Sequence, residues 1–173
     1  MDKNALQRTI IRLSHEILEK NANSENLALV GIKRGGAIVA ERIQKYVERQ
    51  SGKTIPFAGI DIGMFRDDVD VSSVSIENIF DKPSFDIQGK TVILCDDVLQ
   101  TGRSVRAAID GLFASGRPCG VQLLVLIDRG GREMPVRADY VGKNFTVSRA
   151  ERVEVEFEEL GAKEDRAYIT RLV

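Results

Sequence analysis

The first apolar pattern along the chain is helical. Leu6, Ile10, Leu13 and Ile17 recur every three or four positions, which predicts an amphipathic helix over residues 4–20. The polar run NANSEN, residues 21–26, breaks it. Leu27–Ile32 is short and continuously apolar, as expected of a strand covered on both faces. After the turn Lys33–Gly36, the residues Ile38, Ala40, Ile43 and Val47 line one side of a second helix over 36–50. Residues 51–54 end it, and residues 55–65 read as the next strand, with Pro56 near its start. Periodicity then fails from Arg66 to Gln88, a polar stretch rich in Ser and Asp; loops of that length are usually functional or mobile. It resumes with a strand over 91–95, a helix over 102–115 and a strand over 121–127, and residues 136–142 read as a further strand. Arg152–Leu160 alternates strictly, with Val153, Val155 and Phe157 on one side and glutamates on the other, as in a half-exposed edge strand.

Strands alternating with helices predict a parallel α/β sheet, and ligands of such sheets bind beyond the carboxyl ends of the strands. Three polar clusters fall there: Lys33–Gly36, Asp96–Ser104 and Asp128–Glu133. The 173 residues suit a single domain spanning 1–173, and no repeat or linker divides them. With 43% hydrophobic and 29% charged residues the composition is that of a soluble globular chain. A formal net charge of −1 argues against an overall basic field for nucleic acid, though a local patch fits within a neutral total. No apolar run approaches the roughly 18 residues of a membrane span. The first twenty residues carry charges throughout, unlike a signal peptide, so a cytoplasmic location with no membrane partner is expected. Cys95 and Cys119 lie in or beside apolar strands and are expected to be buried free thiols.

The chemistry concentrates in Thr91–Ser104, TVILCDDVLQTGRS. The Leu99–Ser104 segment joins a strand to a helix whose first N–H groups lack intrahelical partners and carry partial positive charge. Gly102 permits close backbone approach, Thr101 and Ser104 add hydroxyls, and Arg103 adds a cation; together they suit a phosphate monoester. Asp96 and Asp97 would repel a phosphate in direct contact and must face another part of the same ligand. Vicinal ribose hydroxyls fit them, and so does Mg²⁺. A ribose 5-phosphate satisfies the whole stretch.

VILCDDVLQTGRS resembles the motif that binds phosphoribosyl pyrophosphate (PRPP) in the type I phosphoribosyltransferases. Within that superfamily RLSHEILEKN, LVGIK, DIGMFRDDV, GRPCGVQLLVLIDRGGREMPVRADYVGKN and SRAE are similar, in register over roughly residues 5 to 160, to the bacterial pyrimidine-operon regulators that are also uracil phosphoribosyltransferases. The resemblance implies a central parallel sheet flanked by helices, a small hood and a flexible lid beginning near Arg66. It implies transfer from PRPP to uracil with Mg²⁺ as cofactor, and UMP and UTP as further ligands. PRPP would be held by Lys33, Arg34, Gly35, Asp96, Asp97, Leu99, Gln100, Thr101, Gly102, Arg103 and Ser104, with a cis peptide between Lys33 and Arg34. Asp96, Asp97 and Arg66 would serve catalysis, Asp96, Asp97 and Asp128 the metal, and Gln100, Tyr140 and Val141 the base. Purine-specific relatives commonly carry an acid at position 100 as proton acceptor; Gln100 cannot take up a proton, which disfavours purines. The resemblance further implies a homodimer or larger homo-oligomer and nucleotide-dependent binding of a pyrimidine-leader mRNA hairpin. Arg12, His15, Arg132, Arg137 and Lys143 match the RNA-contacting surface, outside the PRPP pocket, while Ile11 and Gly131 replace its usual Thr and His. A phosphoribosyltransferase for another base, without RNA binding, is the alternative.

Overall fold

The structure is a computed structural model that describes residues 1–22, 26–62, 83–148 and 150–171. Five parallel strands form its centre: β1 (Leu27–Ile32), β2 (Phe57–Ile60), β3 (Thr91–Leu99), β4 (Gly120–Asp128) and β5 (Tyr140–Asn144), in the order β2-β1-β3-β4-β5. Their two-residue period sorts the core into two layers. Leu27, Leu29, Ile93, Cys95, Leu124 and Leu126 face one side, against α1 (Lys3–Lys20) and α2 (Gly35–Ser51). Val30, Ile32, Val92, Leu94, Leu123 and Val125 face the other, against α3 (Arg103–Ser115). This is why β1 is buried at all six positions.

Local chemistry sets the helix ends. Asp2 caps α1 by accepting from the Ala5 N–H at 2.7 Å. The first residues of α2 and α3 follow Arg34 and Gly102, whose side chains provide no cap, so both helices present bare N-termini toward the strands' carboxyl rim. A separate antiparallel pair, β6 (Glu151–Glu156) and β7 (Arg166–Arg171), forms the hood. Val153 and Phe157 anchor it in the first core layer. Arg42 on α2 holds it from below, donating to Glu159 at 2.9 and 2.5 Å and to Asp165 at 2.5 and 3.0 Å.

The structure departs from the sequence expectations at several places: β2 covers Phe57–Ile60 where 55–65 is expected, and the strand expected to reach Leu160 ends at Glu156, before a 3-10 turn at Glu158–Leu160. β3 continues four residues past Cys95, so both acids lie within the strand, because β4 pairs with it as far as Leu99↔Asp128. β5 begins at Tyr140 rather than Val136; Val136 and Ala138 instead pack loosely over the α3 layer. β7 arises in a charged, weakly apolar segment, through pairing with β6 on one side and two hydrogen bonds between Ala167 and Met1 on the other. Cys95 is buried, but Cys119 is exposed: its backbone N–H binds Lys90 O at the turn before β4 and its side chain stays outside. Residues 63–82 lie outside the described residues, and with them Arg66 and the start of the expected lid. Among those described, no helix is long and apolar enough to cross a membrane.

Candidate active site

Because β1, β3 and β4 run parallel, their carboxyl ends share one rim. β1 pairs with β3 up to Gly31↔Cys95, which sets the Lys33–Gly36 turn beside Asp96 and Asp97. The peptide between Lys33 and Arg34 is cis. The two glycines after it are sterically required. A Cβ on Gly36 would lie 2.3 Å from the Cys95 carbonyl oxygen, and one on Gly35 would lie 2.1 Å from Asp97 Oδ2. The turn and the acids are therefore in van der Waals contact through bare Cα atoms.

Asp96 is only 7% exposed. Burial, and then the neighbouring charge of Asp97, push its carboxyl well above the ordinary carboxylate range; burial also raises Asp97. Each acid spends one oxygen on the backbone, Asp96 Oδ1 accepting from Asp97 N at 3.0 Å and Asp97 Oδ1 from Val98 N at 2.8 Å. Two adjacent acids that resist ionisation suit a ligand that brings positive charge or hydroxyl donors. Hard oxygen donors of this kind fit Mg²⁺.

The phosphate-type loop follows directly. Gly102 sits at φ 88°, a left-handed conformation that turns the chain into α3. Four hydrogen bonds with the 129–136 segment brace the loop. Glu133 N and Met134 N both donate to Thr101 O at 2.9 Å, Arg132 Nη1 donates to Gln100 O at 2.9 Å, and Glu133 accepts from Arg103 Nε at 2.7 Å. Arg132 also donates to Val136 O at 3.0 Å and pairs with Asp128. Asp128 gives its other oxygen to Gly130 N at 2.9 Å, so both its carboxylate oxygens are engaged within this segment.

The remaining candidates spread more widely. Tyr140 lies at the amino end of β5, its hydroxyl donating to Gln122 at 2.6 Å and accepting from Asn21 at 2.9 Å, and Val141 follows it. Neither reaches the rim, which β5 meets at Asn144 and Phe145. Arg12 is brought against β5, donating to Val141 O at 3.2 Å and Gly142 O at 2.6 Å, next to exposed Lys143. His15 bonds the Tyr46 hydroxyl at 2.9 Å across the α1–α2 seam. Arg137 is exposed in the segment on the α3 side of the sheet. Arg132 departs from its expected independence of the PRPP pocket, since it holds the carbonyl of Gln100.

Residues 2–158 match the family described as the phosphoribosyl transferase domain. The chain belongs to that family. Among phosphoribosyl transferase relatives it is 49% identical over 172 residues to the bifunctional protein PyrR of Caldicellulosiruptor bescii, covering 99% of this chain and 94% of that one. It is 47% identical over 178 residues to the PyrR of Listeria monocytogenes, covering 99% and 95%. The fold resembles the hypoxanthine phosphoribosyltransferase of Trypanosoma cruzi, with a TM-score of 0.71 at 17% identity over 99% of this chain and 94% of that one. A Staphylococcus aureus hypoxanthine phosphoribosyltransferase gives 0.67 at 18% identity over 87% and 77%.

Proposed function

We propose that this phosphoribosyl transferase joins uracil to the phosphoribosyl group of PRPP, releasing pyrophosphate and forming UMP. The observation that carries the reading is the Asp96–Asp97 pair set on one rim between two donor-rich turns, Lys33–Gly36 and Gln100–Ser104. In this reading Leu99–Ser104 and the N-terminus of α3 hold the 5-phosphate. Lys33, Arg34 and Gly35 take the pyrophosphate, joined by Arg66 when the lid closes. Asp96 and Asp97 accept from the ribose hydroxyls and would hold Mg²⁺, which would supply charge neutralisation to the departing pyrophosphate. Asp128, which pairs with Arg132 and accepts from Gly130 N, shapes the 129–136 segment and would be the third residue toward the metal. Uracil N1 attacks the anomeric carbon as the bond from that carbon to the pyrophosphate oxygen breaks, the N1 proton passes to solvent, and no covalent protein nucleophile is needed. The Gln100 amide borders the base without exchanging a proton.

The test is a base panel with PRPP and Mg²⁺: uracil is turned over and hypoxanthine and guanine are not. Turnover of a purine in preference to uracil would overturn the assignment.

The likeness to proteins named bifunctional supports a second activity, uridine-nucleotide-dependent binding of a pyrimidine-leader mRNA hairpin by a cytoplasmic homo-oligomer. Arg12 and Lys143 lie side by side along β5, with His15 one turn further on α1. Hairpin titration at several salt concentrations, with and without UMP, tests it. Equal binding to a scrambled RNA, indifferent to UMP, would refute it.

A further inference from the structure

A cavity of about 420 Å³ opens between α1, α2 and the hood and shares no residue with the PRPP rim. That volume suits a small flat group. Helical spacing builds its walls, with Ile10 and Ile11 on α1 and Tyr46 on α2. His15 holds Tyr46 in place: its Nε2 bonds the Tyr46 hydroxyl at 2.9 Å, and the two rings meet edge to face with centroids 5.4 Å apart. The acids that line the cavity are already matched, Glu158 by Lys3 at 2.6 Å and Asp165 by Arg42 at 2.5 Å. Gln7 and Arg49 also line it, and among the described residues neither spends its side chain on a hydrogen bond or an ion pair. Lys45 reaches only Glu41, one turn back, in an exposed pair of the kind worth little in water.

These parts match an unpaired nucleobase. Apolar side chains and an aromatic ring take a flat base by stacking, an amide offers both donor and acceptor to its edge, and cations take the flanking phosphates. An apolar peptide side chain would use Ile10, Ile11 and Tyr46 but leave Gln7 and Arg49 unmatched. A free phosphate would use Arg49 and leave the apolar walls bare. The cavity also continues the candidate RNA surface, since Arg12 follows Ile11 directly on α1 and His15 orients Tyr46. Resting on the RNA reading above, we infer that this cavity receives one unpaired base of the bound hairpin, stacked on Tyr46, with Gln7 at its edge and Arg49 and Lys45 on the adjoining phosphates. His15 then acts by positioning a stacking ring, and Ile11, where the related surface carries Thr, supplies apolar wall.

Fluorescence-anisotropy titration of the pyrimidine-leader hairpin with UMP present tests this in the wild type, Tyr46→Phe and Tyr46→Ala. Loss of one base–aromatic stack weakens hairpin binding by about tenfold in Tyr46→Ala, and by no more than about threefold in Tyr46→Phe, which keeps the ring. Abasic nucleotides placed singly at the hairpin's unpaired positions locate the base. One such change weakens wild-type binding by about tenfold but costs Tyr46→Ala no more than about twofold, since the stack is already gone. Gln7→Ala and Arg49→Ala alter exposed side chains and carry the test if Tyr46→Ala does not fold. At the same abasic position the Gln7→Ala loss is non-additive, and Arg49→Ala lowers the salt slope by about one unit. Uracil transfer is unchanged in all of them, because Tyr46 lies roughly three turns along α2 from Gly35. Abasic losses that add to Tyr46→Ala at every unpaired position overturn the inference and leave the RNA reading standing. So does a Tyr46→Ala protein whose oligomeric state has changed in sedimentation, since the cavity would then belong to a contact between subunits. A wild type that binds hairpin and scrambled RNA alike overturns the RNA reading itself.

Discussion

Replacing Gly36 with Ala sets two effects of similar size against each other. Gly36 is the second residue of α2, and Ala is the better helix former by about 1 kcal/mol in a helix interior, less in a first turn. The new Cβ, however, would lie 2.3 Å from the Cys95 carbonyl oxygen and 2.8 Å from the Asp96 Cα. Ordinary contact begins near 3.4 Å, so α2 must move about 1 Å away from β3, and both opposing atoms are backbone with no rotamer to yield. Overpacking of this kind costs about 1–3 kcal/mol, toward the upper end when backbone must move. Sterics therefore win, and Gly36→Ala is destabilised by about 1–2 kcal/mol net. The same movement carries Lys33–Gly35 away from Asp97, and a 1 Å misplacement of a positioning group costs about 100-fold in rate. Urea unfolding reads the first quantity and kcat/KM for PRPP the second. Gly120→Ala is the control, because nothing lies within 4 Å of its Cβ position; it changes stability by less than about 0.5 kcal/mol. A Gly36→Ala protein as stable as the wild type, with unchanged kcat/KM, would refute the claim that close contact between α2 and the acid strand builds the site.

Three further outcomes follow from the contacts described. Burial and the charge of Asp97 raise the carboxyl of Asp96, so the native ligand-free protein holds that proton more tightly than the unfolded chain; the stability this contributes is full below the ordinary carboxylate range and is lost as pH rises through the raised value. Thermal melts over that range should show an Asp96→Asn protein flatter with pH, and more stable than the wild type at neutral pH without Mg²⁺ and PRPP; parallel profiles would count against it. Arg132→Ala removes the Asp128 pair and the support of Gln100 O, costing about 2 kcal/mol of stability and raising the KM for PRPP several-fold, so an RNA-binding defect with untouched transfer kinetics would contradict the bracing role. Arg42→Met leaves Asp165, 4% exposed, buried without its countercharge and loosens the hood by about 3 kcal/mol; Asp165→Asn with Arg42→Met should recover part of that loss in the same melts.

Local order along the chain determined the parts of this protein that depend on near neighbours. The three helices and the buried strands follow from apolar spacing, since a residue's face in a helix or strand is set by its distance in sequence from the next apolar residue. The Asp96–Ser104 stretch was legible for the same reason: acids, Gly102 and the start of α3 are contiguous, and β1 beside β3 makes Lys33–Gly36 their neighbour. Tertiary structure alone decided the rest. β3 runs on to Leu99 because β4 offers partners that far, and β7 exists because β6 pairs with it. Tyr140 sits away from the rim because of its register with Leu124, and a register belongs to a pair of strands, not to either one. Arg132 looks like a surface cation until its partners, Gln100 O and Asp128, are seen. Arg129 looks like the arginine of any strand end until burial leaves its Nε unmatched. Apolar periodicity reports which way a side chain faces. Whether a polar group there is solvated, paired or left waiting depends on segments distant in sequence, and only the folded chain brings those together.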